Sequence, residues 1–486
     1  MTTASTGPSG PPLGTGPGSG RAAVGPANAG ARRPGAARAR LASRRALTAD
    51  LLTALCCASA AFAVALWLAY GGPAASGSLS GAVTAAGIVS GLVGTDLVLV
   101  MLVLAARIPI VDRTFGRDVV MGLHRKLGKP ALSLLLAHGV LLILGYGLAD
   151  GLDPVAETLS LLSLGDIVLS VLAMGLLITV VVTSLVAVRR RFPYEVWHAI
   201  HLLSYGAVLF AVPHQLSVGG MLAEGTWQRL YWIGITALAV GSVGWYRFLV
   251  PTIATLRHRL QVQDVETIAP GVISLHLSGR NLSRLGIVGG QYATWRFWSR
   301  GTWWHAHPIS FSSVGDDRSV RITVRALGTG SGQLAELPRG TRVSFEGPYG
   351  IFTGENRTAP YLAVVAAGIG VTPVRSMLED ARLAPGEATV LLRARSTDEQ
   401  YLWGEVRTLV ERAGGRIFGM TGSRGSGSWL TAADQARGVR LETVFPHLLS
   451  SDLYVCGPQP WTDLVVRDAL AAGVREDRIH VERFDW

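Results

Sequence analysis

Cysteine is scarce. Cys56, Cys57 and Cys456 are the only three in 486 residues, and no two of them form a CxxC pair. The chain therefore supports neither a zinc-ligand spacing nor a disulfide framework. Charge is scarce too. Asp, Glu, Lys and Arg make up 16% of the residues, against about 25% in soluble domains. The shortage is local: long uncharged apolar runs fill the chain up to about residue 250, and ordinary globular sequence follows. Stretches 71–82, 149–162 and 217–226 contain no Lys or Arg at all. A net charge of +11 invites a nucleic-acid reading. Its distribution argues against one, because the arginines crowd the first 45 residues and the ends of the apolar runs, where membrane topology places them.

Residues 1–45 are mostly Gly, Pro, Ala, Ser and Arg. They bury too little apolar surface to offset chain entropy, and a disordered tail is expected. Six runs then reach the ~20 residues that cross a hydrocarbon core. They lie near 48–70, 83–106, 127–148, 163–188, 194–217 and 227–250. The bilayer is thus an expected partner, and nucleic acid is not. Basic residues follow the second span (Arg107, Arg113, Arg117, Arg125, Lys126, Lys129) and the fourth (Arg189, Arg190, Arg191). The positive-inside rule then predicts a multi-pass cell-membrane protein with both termini in the cytoplasm.

From about residue 257 the pattern changes. Val262–Thr267, Val272–Ser278, Gln291–Trp298, Val320–Leu327 and Arg342–Glu346 read as strands bounded by turn residues, which suggests an antiparallel barrel. After 360, strands alternate with helical stretches, the pattern of a parallel α/β domain. The expected fold class is multidomain: a six-span helical bundle over 46–250, a β-barrel over 257–356, and an α/β domain over 358–486.

Four histidines lie on two spans, His124 and His138 on the third, His201 and His214 on the fifth. Ionisable residues inside a bilayer default to a functional reading. Imidazole is a normal axial ligand for haem iron, and a bis-histidine haem suits electron transfer. Fourteen residues of helix rise about 21 Å and return to within about 40° of one face, so His124 and His138 can hold two stacked haems. Antiparallel spans then pair His124 with His201 and His138 with His214. The thirteen-residue spacing of His201 and His214 leaves them about 140° apart on an ideal helix. Pro213 offers a kink that re-aims His214. His198 competes with His201 and ranks second.

His307-Pro308-Ile309-Ser310 comes after a predicted strand, followed by the glycine-rich Gly328-Thr329-Gly330-Ser331-Gly332 and then Gly347-Pro348-Tyr349-Gly350. Glycines let backbone amides approach a pyrophosphate. Ala367-Gly368-Ile369-Gly370-Val371-Thr372-Pro373 ends a predicted strand and opens a helix, a ready anion site for a dinucleotide phosphate. Cys456-Gly457-Pro458 ends a later strand on the same carboxyl edge.

The order HPxS, GxG-x-TP, CGP and a terminal Glu482-Arg483-Phe484-Asp485-Trp486 resembles the ferredoxin-reductase-like flavoproteins. Joined to six spans with paired histidines, it resembles the ferric reductase and NADPH oxidase superfamily, from about residue 48 to the end. The resemblance implies FAD, two b-type haems and a nicotinamide dinucleotide. Ser310 would contact the flavin ring, with His307, Pro308 and Ile309 seating FAD beside Gly330, Ser331 and Gly332. Gly368, Gly370, Thr372 and Pro373 would hold the dinucleotide, with Cys456, Gly457 and Pro458 near the nicotinamide. Phe484 or Trp486 would cover the flavin. His307 stands where soluble ferredoxin reductases carry arginine, in keeping with the membrane branch. Ser423-Arg424, with Arg393 and Arg395 nearby, resembles a 2′-phosphate site and favours NADPH over NADH.

The implied activity is transmembrane electron transfer from cytoplasmic NAD(P)H to an extracellular acceptor. Ferric iron or a ferric chelate is the first expectation, and dioxygen giving superoxide the second. A transporter or proton channel with a nucleotide-sensing domain is the alternative of another class, and it would lack a haem spectrum. Four acidic residues at the outer end, Asp150, Asp153, Glu157 and Glu224, could attract cations.

Overall fold

The computed structural model describes residues 34–217, 220–326 and 328–484. Most of the expected tail lies outside them. From Pro34 onward, however, the chain is helical: α1 spans Pro34–Ala69. Pro34 occupies a first-turn position, where its missing N–H costs nothing, and the Ala, Arg and Leu that follow are strong helix formers. Residues 34–45 therefore lengthen the helix whose apolar stretch, Ser43–Ala69, is the first span.

Five more long apolar helices follow: α2 (Leu79–Ala105), α3 (Arg117–Asp150), α4 (Gly165–Ser184), α5 (Tyr194–Ser217) and α6 (Trp227–Val243). Their most apolar stretches have mean hydropathies between 1.4 and 2.5. The helix α6 runs through a π-helical turn, Gly244–Leu249, into α7 (Val250–His258). Large side chains such as Leu230 (73% exposed) and Leu238 (67% exposed) point outward, as a surface facing hydrocarbon requires. The helix α2 packs along α3, and α4 along α5. Contact between α2 and α3 is close because α2 carries glycines on that face: a Cβ on Gly87 would stand 2.9 Å from Leu142, and one on Gly94 3.0 Å from Leu135.

Two residues beyond α7 begins an antiparallel sheet of β1 (Gln261–Ala269), β2 (Val272–Ser278), β3 (Tyr292–Phe297), β4 (His307–Ser313), β5 (Ser319–Arg325) and β6 (Val343–Tyr349). Its order is β1-β2-β5-β4-β3-β6. A bridge from Gln261 to Arg342 joins its two edges into a barrel. Trp295, Phe297, Phe311 and Phe345 fill the interior. The strand β4 is absent from the sequence reading, which counts five strands and places HPIS after one of them. HPIS is itself the strand: His307 pairs with Trp295 and Pro308 with Thr294. A proline argues against a strand on sequence grounds, but Pro308 is exposed.

The last sheet is parallel, ordered β11-β10-β7-β8-β9. It comprises β7 (Tyr361–Ala367), β8 (Ala388–Ala394), β9 (Arg416–Thr421), β10 (Ser451–Pro458) and β11 (Ile479–Phe484). Helix α8 (Val371–Asp380) opens directly after β7. Order reverses between β7 and β10, and the carboxyl edge at such a point is where α/β sheets bind ligands.

The barrel is tied to the bundle by an ion cluster. Arg107, just past α2, and Arg247, in the π-helical turn, each donate to Glu346 Oε2 on β6 at 2.8 Å. Arg107 holds a left-handed backbone (φ 64°), and its guanidinium lies 5.0 Å from the Tyr349 ring centroid. A second tie runs from α1, where Arg45 donates to the Asn356 side chain at 3.4 Å.

Candidate active site

A cleft of about 510 Å³ lies where the three parts meet. The barrel contributes His307, Pro308, Ile309, Ser310, Gly330 and Ser331; the α/β domain contributes Ile369, Thr372 and Phe484; and α5 contributes Glu195, His198, Ala199 and Leu202. Much of the expected FAD and dinucleotide set is thus in one place. Ser310 is 3% exposed on β4. His307 Nε2 is buried with no hydrogen-bond partner. Burial, then the neighbouring His305 and Arg296, hold the His307 imidazole down at about 4, so it is neutral at physiological pH. An orphaned buried polar atom on a residue that lines a cleft of this size fits a site for a bound heteroaromatic group. Arg296, Arg325, Trp304 and His305 also line the cleft. Sequence reasoning passed over them, although arginines flanking a glycine-rich turn were the available signal.

Gly332 lies behind the wall, its amide donating to the Gly328 carbonyl at 2.9 Å. Gly368 takes φ +55° at the turn after β7, and a Cβ on Gly370 would strike the Cys456 carbonyl oxygen at 2.5 Å. Gly370 therefore lets the ends of β7 and β10 close on each other, and of the first turn of α8 Thr372 lines the cleft. Pro373 is packed inside the first turn of α8. Cys456 is fully buried, and burial pushes its thiol well up; it sits beside the turn as a neutral packing group. Gly457 and Pro458 finish β10. Glu482, opposite Cys456 in the parallel register, is pushed up to about 8 by burial and then by Asp118. Trp486 lies outside the described residues, whereas Phe484 lines the cleft.

At the carboxyl edge, Arg393 donates to the Gly422 carbonyl at 2.8 Å. Burial first, with Arg424 and Arg395 near enough to repel it, lowers its guanidinium from the ordinary value. Arg424 is exposed, as is Ser423. Three arginines thus converge at this edge, one anchored and the others available to an anion.

Inside the bundle the four histidines form two pairs between α3 and α5. The rings of His124 and His201 are 6.1 Å apart. His138 and His214 lie close enough to interact electrostatically. His198 lines the cleft instead, one helical turn nearer the barrel. Each ring's second nitrogen reports its proton. His124 Nδ1 is 3.1 Å from the Met101 carbonyl and His138 Nδ1 is 2.8 Å from the Gly87 carbonyl. A carbonyl only accepts, so both rings carry the proton on Nδ1 and keep an Nε2 lone pair. His201 Nδ1 is 3.4 Å from Ser184 Oγ. That hydroxyl gives its own proton to the Val180 carbonyl, which sets His201 the same way. His214 Nδ1 is buried and makes only a loose approach to the Ala211 carbonyl. Pro213 lies inside α5 directly before it. A free Nε2, with Nδ1–H anchored on the protein, is the arrangement of a metal-ligating histidine. The residues present fit axial haem ligation. Gly91 completes this setting: a Cβ there would lie 2.3 Å from His138 Nδ1.

Of the four outer acidic residues, two are committed elsewhere. Asp153 caps the helix Pro154–Leu162 by accepting from the Val155 and Ala156 amides, and Glu157 is 3% exposed. Asp166, at the start of α4, lies near His214 instead.

Comparison with known proteins agrees with this layout. Residues 90–212 match the ferric reductase like transmembrane component, and residues 364–467 match the oxidoreductase NAD-binding domain. Ferredoxin–NADP reductase B of Sorangium cellulosum is 31% identical over 191 residues, covering 37% of this chain and 78% of that protein. The toluate 1,2-dioxygenase electron transfer component of Pseudomonas putida is 28% identical over 233 residues, 47% of this chain and 67% of that one. Among solved structures, the FAD/NAD-binding domain of a Vibrio cholerae nitric oxide dioxygenase aligns with TM-score 0.38 and 21% identity, covering 47% of this chain and 99% of that one. The chain joins a ferric reductase-like membrane component to a module of the ferredoxin-reductase-like family. It is a multi-pass membrane oxidoreductase whose module binds FAD and a nicotinamide dinucleotide.

Proposed function

We propose that the chain takes electrons from NADPH on the cytoplasmic side and delivers them through FAD and two b-type haems to an acceptor outside, ferric iron or a ferric chelate. The observation that carries this reading is the shared cleft. The barrel's HPIS strand, the dinucleotide turn and α5 all line it, and His201 lies one residue from the cleft-lining Leu202 on α5. When bound, the flavin supplies the conversion of a two-electron hydride into single electrons that haems carry.

The chain's own residues supply position. Ser310 and neutral His307 present polar atoms to the flavin ring from β4. The glycine turn Gly368–Gly370 and Thr372 at the start of α8 meet the dinucleotide phosphates. Phe484 closes the cleft from β11 and excludes water. His124 with His201, and His138 with His214, hold the two haems, with the first pair nearer the cleft. The bundle insulates the route with apolar side chains. Ferric iron is favoured as acceptor by the resemblance of the membrane component and by the acidic Asp166 near His214.

The donor preference rests on Arg393, Arg395 and Arg424, since a 2′-phosphate is recognised by guanidinium groups. Flavin reduction measured with each donor tests it. Arg424→Ala should weaken NADPH binding about 10-fold or more, the equivalent of roughly 1.4 kcal/mol, and leave NADH nearly unchanged. Equal loss for both donors would remove Arg424 from the site. The electron route is tested by haem content and acceptor screening: two reducible b-type haems per chain are expected, with NADPH-driven ferric reduction.

A further inference from the structure

The connection between β3 and β4 has a surface that catalysis does not require. Trp298, Trp303 and Trp304 are 54%, 55% and 54% exposed. Their display is built in. Thr302 is buried and donates to the Phe297 carbonyl at 3.0 Å. The Trp303 amide donates to the Ser299 carbonyl at 3.2 Å, and the His305 amide to the Thr302 carbonyl at 3.1 Å. Two indole N–H groups are already satisfied, Trp298 by Ser344 Oγ at 3.0 Å and Trp304 by the Gly301 carbonyl at 2.9 Å. Ring faces are what remain for a partner.

The position of this connection says which partner. His305 Nδ1 lies 3.1 Å from Glu195 Oε1, in the first turn of α5. Immediately before α5 come Arg189, Arg190 and Arg191, and the guanidinium of Arg189 lies 4.7 Å from the Trp197 ring centroid. At the same end of the bundle, just past α6, Trp245 and Phe248 are 53% and 60% exposed. Exposed aromatic rings and arginines at one end of a spanning bundle mark the headgroup layer. Residues 297–306 contain Arg300 and no acidic side chain. The tryptophans thus continue the bundle's aromatic belt onto the barrel, beside a run of cations that favours anionic headgroups.

We propose that the connection 298–305 is a lipid-docking surface, seated in the headgroup layer of the membrane leaflet on the module's side and selective for anionic phospholipid. Because Trp304 and His305 also line the cleft, lipid held on one side of the connection steadies the cleft wall on the other. The proposal rests on the reading that the bundle spans a bilayer, and its readout needs neither haem nor nicotinamide.

The test uses the full chain in nanodiscs, with Cys56 and Cys57 replaced by Ala and buried Cys456 retained. Trp303→Cys carries a bimane label, and Arg437→Cys, 72% exposed on the α/β domain, serves as the control. With headgroup-nitroxide lipid, the label at 303 should lose at least half its fluorescence, and the control little. Phosphatidylglycerol in place of part of the phosphatidylcholine should raise quenching about two-fold or more, and Arg190→Gln with Arg191→Gln should remove that increase. Equal response of both labels to a water-soluble quencher, with no lipid quenching, overturns the proposal. Protection from the soluble quencher without lipid quenching also overturns it, assigning the face to a second copy or a protein partner. Lipid quenching indifferent to phosphatidylglycerol overturns the anionic preference. An unchanged FAD content and thermal midpoint in the labelled protein show that it has folded.

Discussion

At the scale of single residues, the histidine pockets depend on a side chain that is absent. Gly91 offers the space that His138 occupies, and a methyl group there would overlap the ring. Gly91→Ala should therefore displace His138 and release the haem of the His138–His214 pair, lowering haem content from two per chain to about one. Flavin reduction by NADPH should persist. The pyridine haemochrome assay reads this directly, and Gly128→Ala is the control, because its Cβ would meet only Met101 Cε at 3.7 Å. Two haems retained in Gly91→Ala would show that His138 is not a ligand. Glu482 supplies a second residue-scale test. Its folded pKa of about 8 exceeds the ordinary 4.5. The folded form therefore binds more protons than the unfolded one between those values, and stability falls as pH rises through that window. Glu482→Gln is neutral throughout and removes this slope. Its thermal midpoint should match wild type near pH 4.5 and exceed it by about 10 °C or more near pH 8, since the span from 4.5 to about 8 is worth roughly 4–5 kcal/mol, and 1 kcal/mol moves the midpoint of a 150–250-residue domain by roughly 2–4 °C. Parallel curves for the two proteins across that range would refute the assignment.

At the scale of elements, what matters is how β6 is held against α2 and α6. Glu346 accepts from two arginines on two different helices, so one carboxylate sets the barrel's distance from the bundle. Their side chains are 18–23% exposed, sheltered enough for the pairing to survive salt. Glu346→Gln removes the charge that draws both guanidiniums together. Flavin reduction by NADPH takes place within the module and should be unchanged. Transfer from flavin to the first haem crosses the joint, and even a small added distance should slow it several-fold, because tunnelling falls off exponentially with separation. Stopped-flow absorbance separates the two phases. Slowing of flavin reduction itself would show that Glu346 supports the barrel rather than the joint.

At the scale of the whole molecule, the proposed electron route calls for one topology. The cleft opens at the end of the bundle where Arg189, Arg190 and Arg191 lie, next to Glu195. On the proposed route that end faces the nicotinamide pool. A reporter fused after Trp486 should read cytoplasmic, and a tag inserted at Gly151, between α3 and the helix Pro154–Leu162, should be reachable from outside. An externally accessible C-terminus would defeat the electron route, because the donor could not reach the cleft.

Much of this architecture is legible in the sequence because it depends on composition and period. Apolar runs must be about 20 residues long to cross a bilayer, so six spans can be counted directly. A glycine turn between strand and helix is a local event, and Gly368–Gly370 announces itself as one. Paired histidines on two spans are legible because an ionisable group in hydrocarbon stands out. What local pattern could not show is which surfaces meet. The strand β4 hid behind Pro308, whose tolerance depends on its exposed place in the barrel. Gly91 carries no signal until the His138 ring is seen against it. His198 competes with His201 by type and ranks second, and the packing of α5 sends His198 to the cleft and His201 to His124. Asp153 and Glu157 look like free acids until their amide partners and burial are known. Trp298 reads as the end of a strand and Trp303 and Trp304 carry no signal in the sequence; the three become a membrane-facing surface only because His305 reaches Glu195. Spacing along a chain fixes the elements, because their periods are local. Partners across the fold are chosen by tertiary packing, because burial and distance belong to the assembled molecule alone.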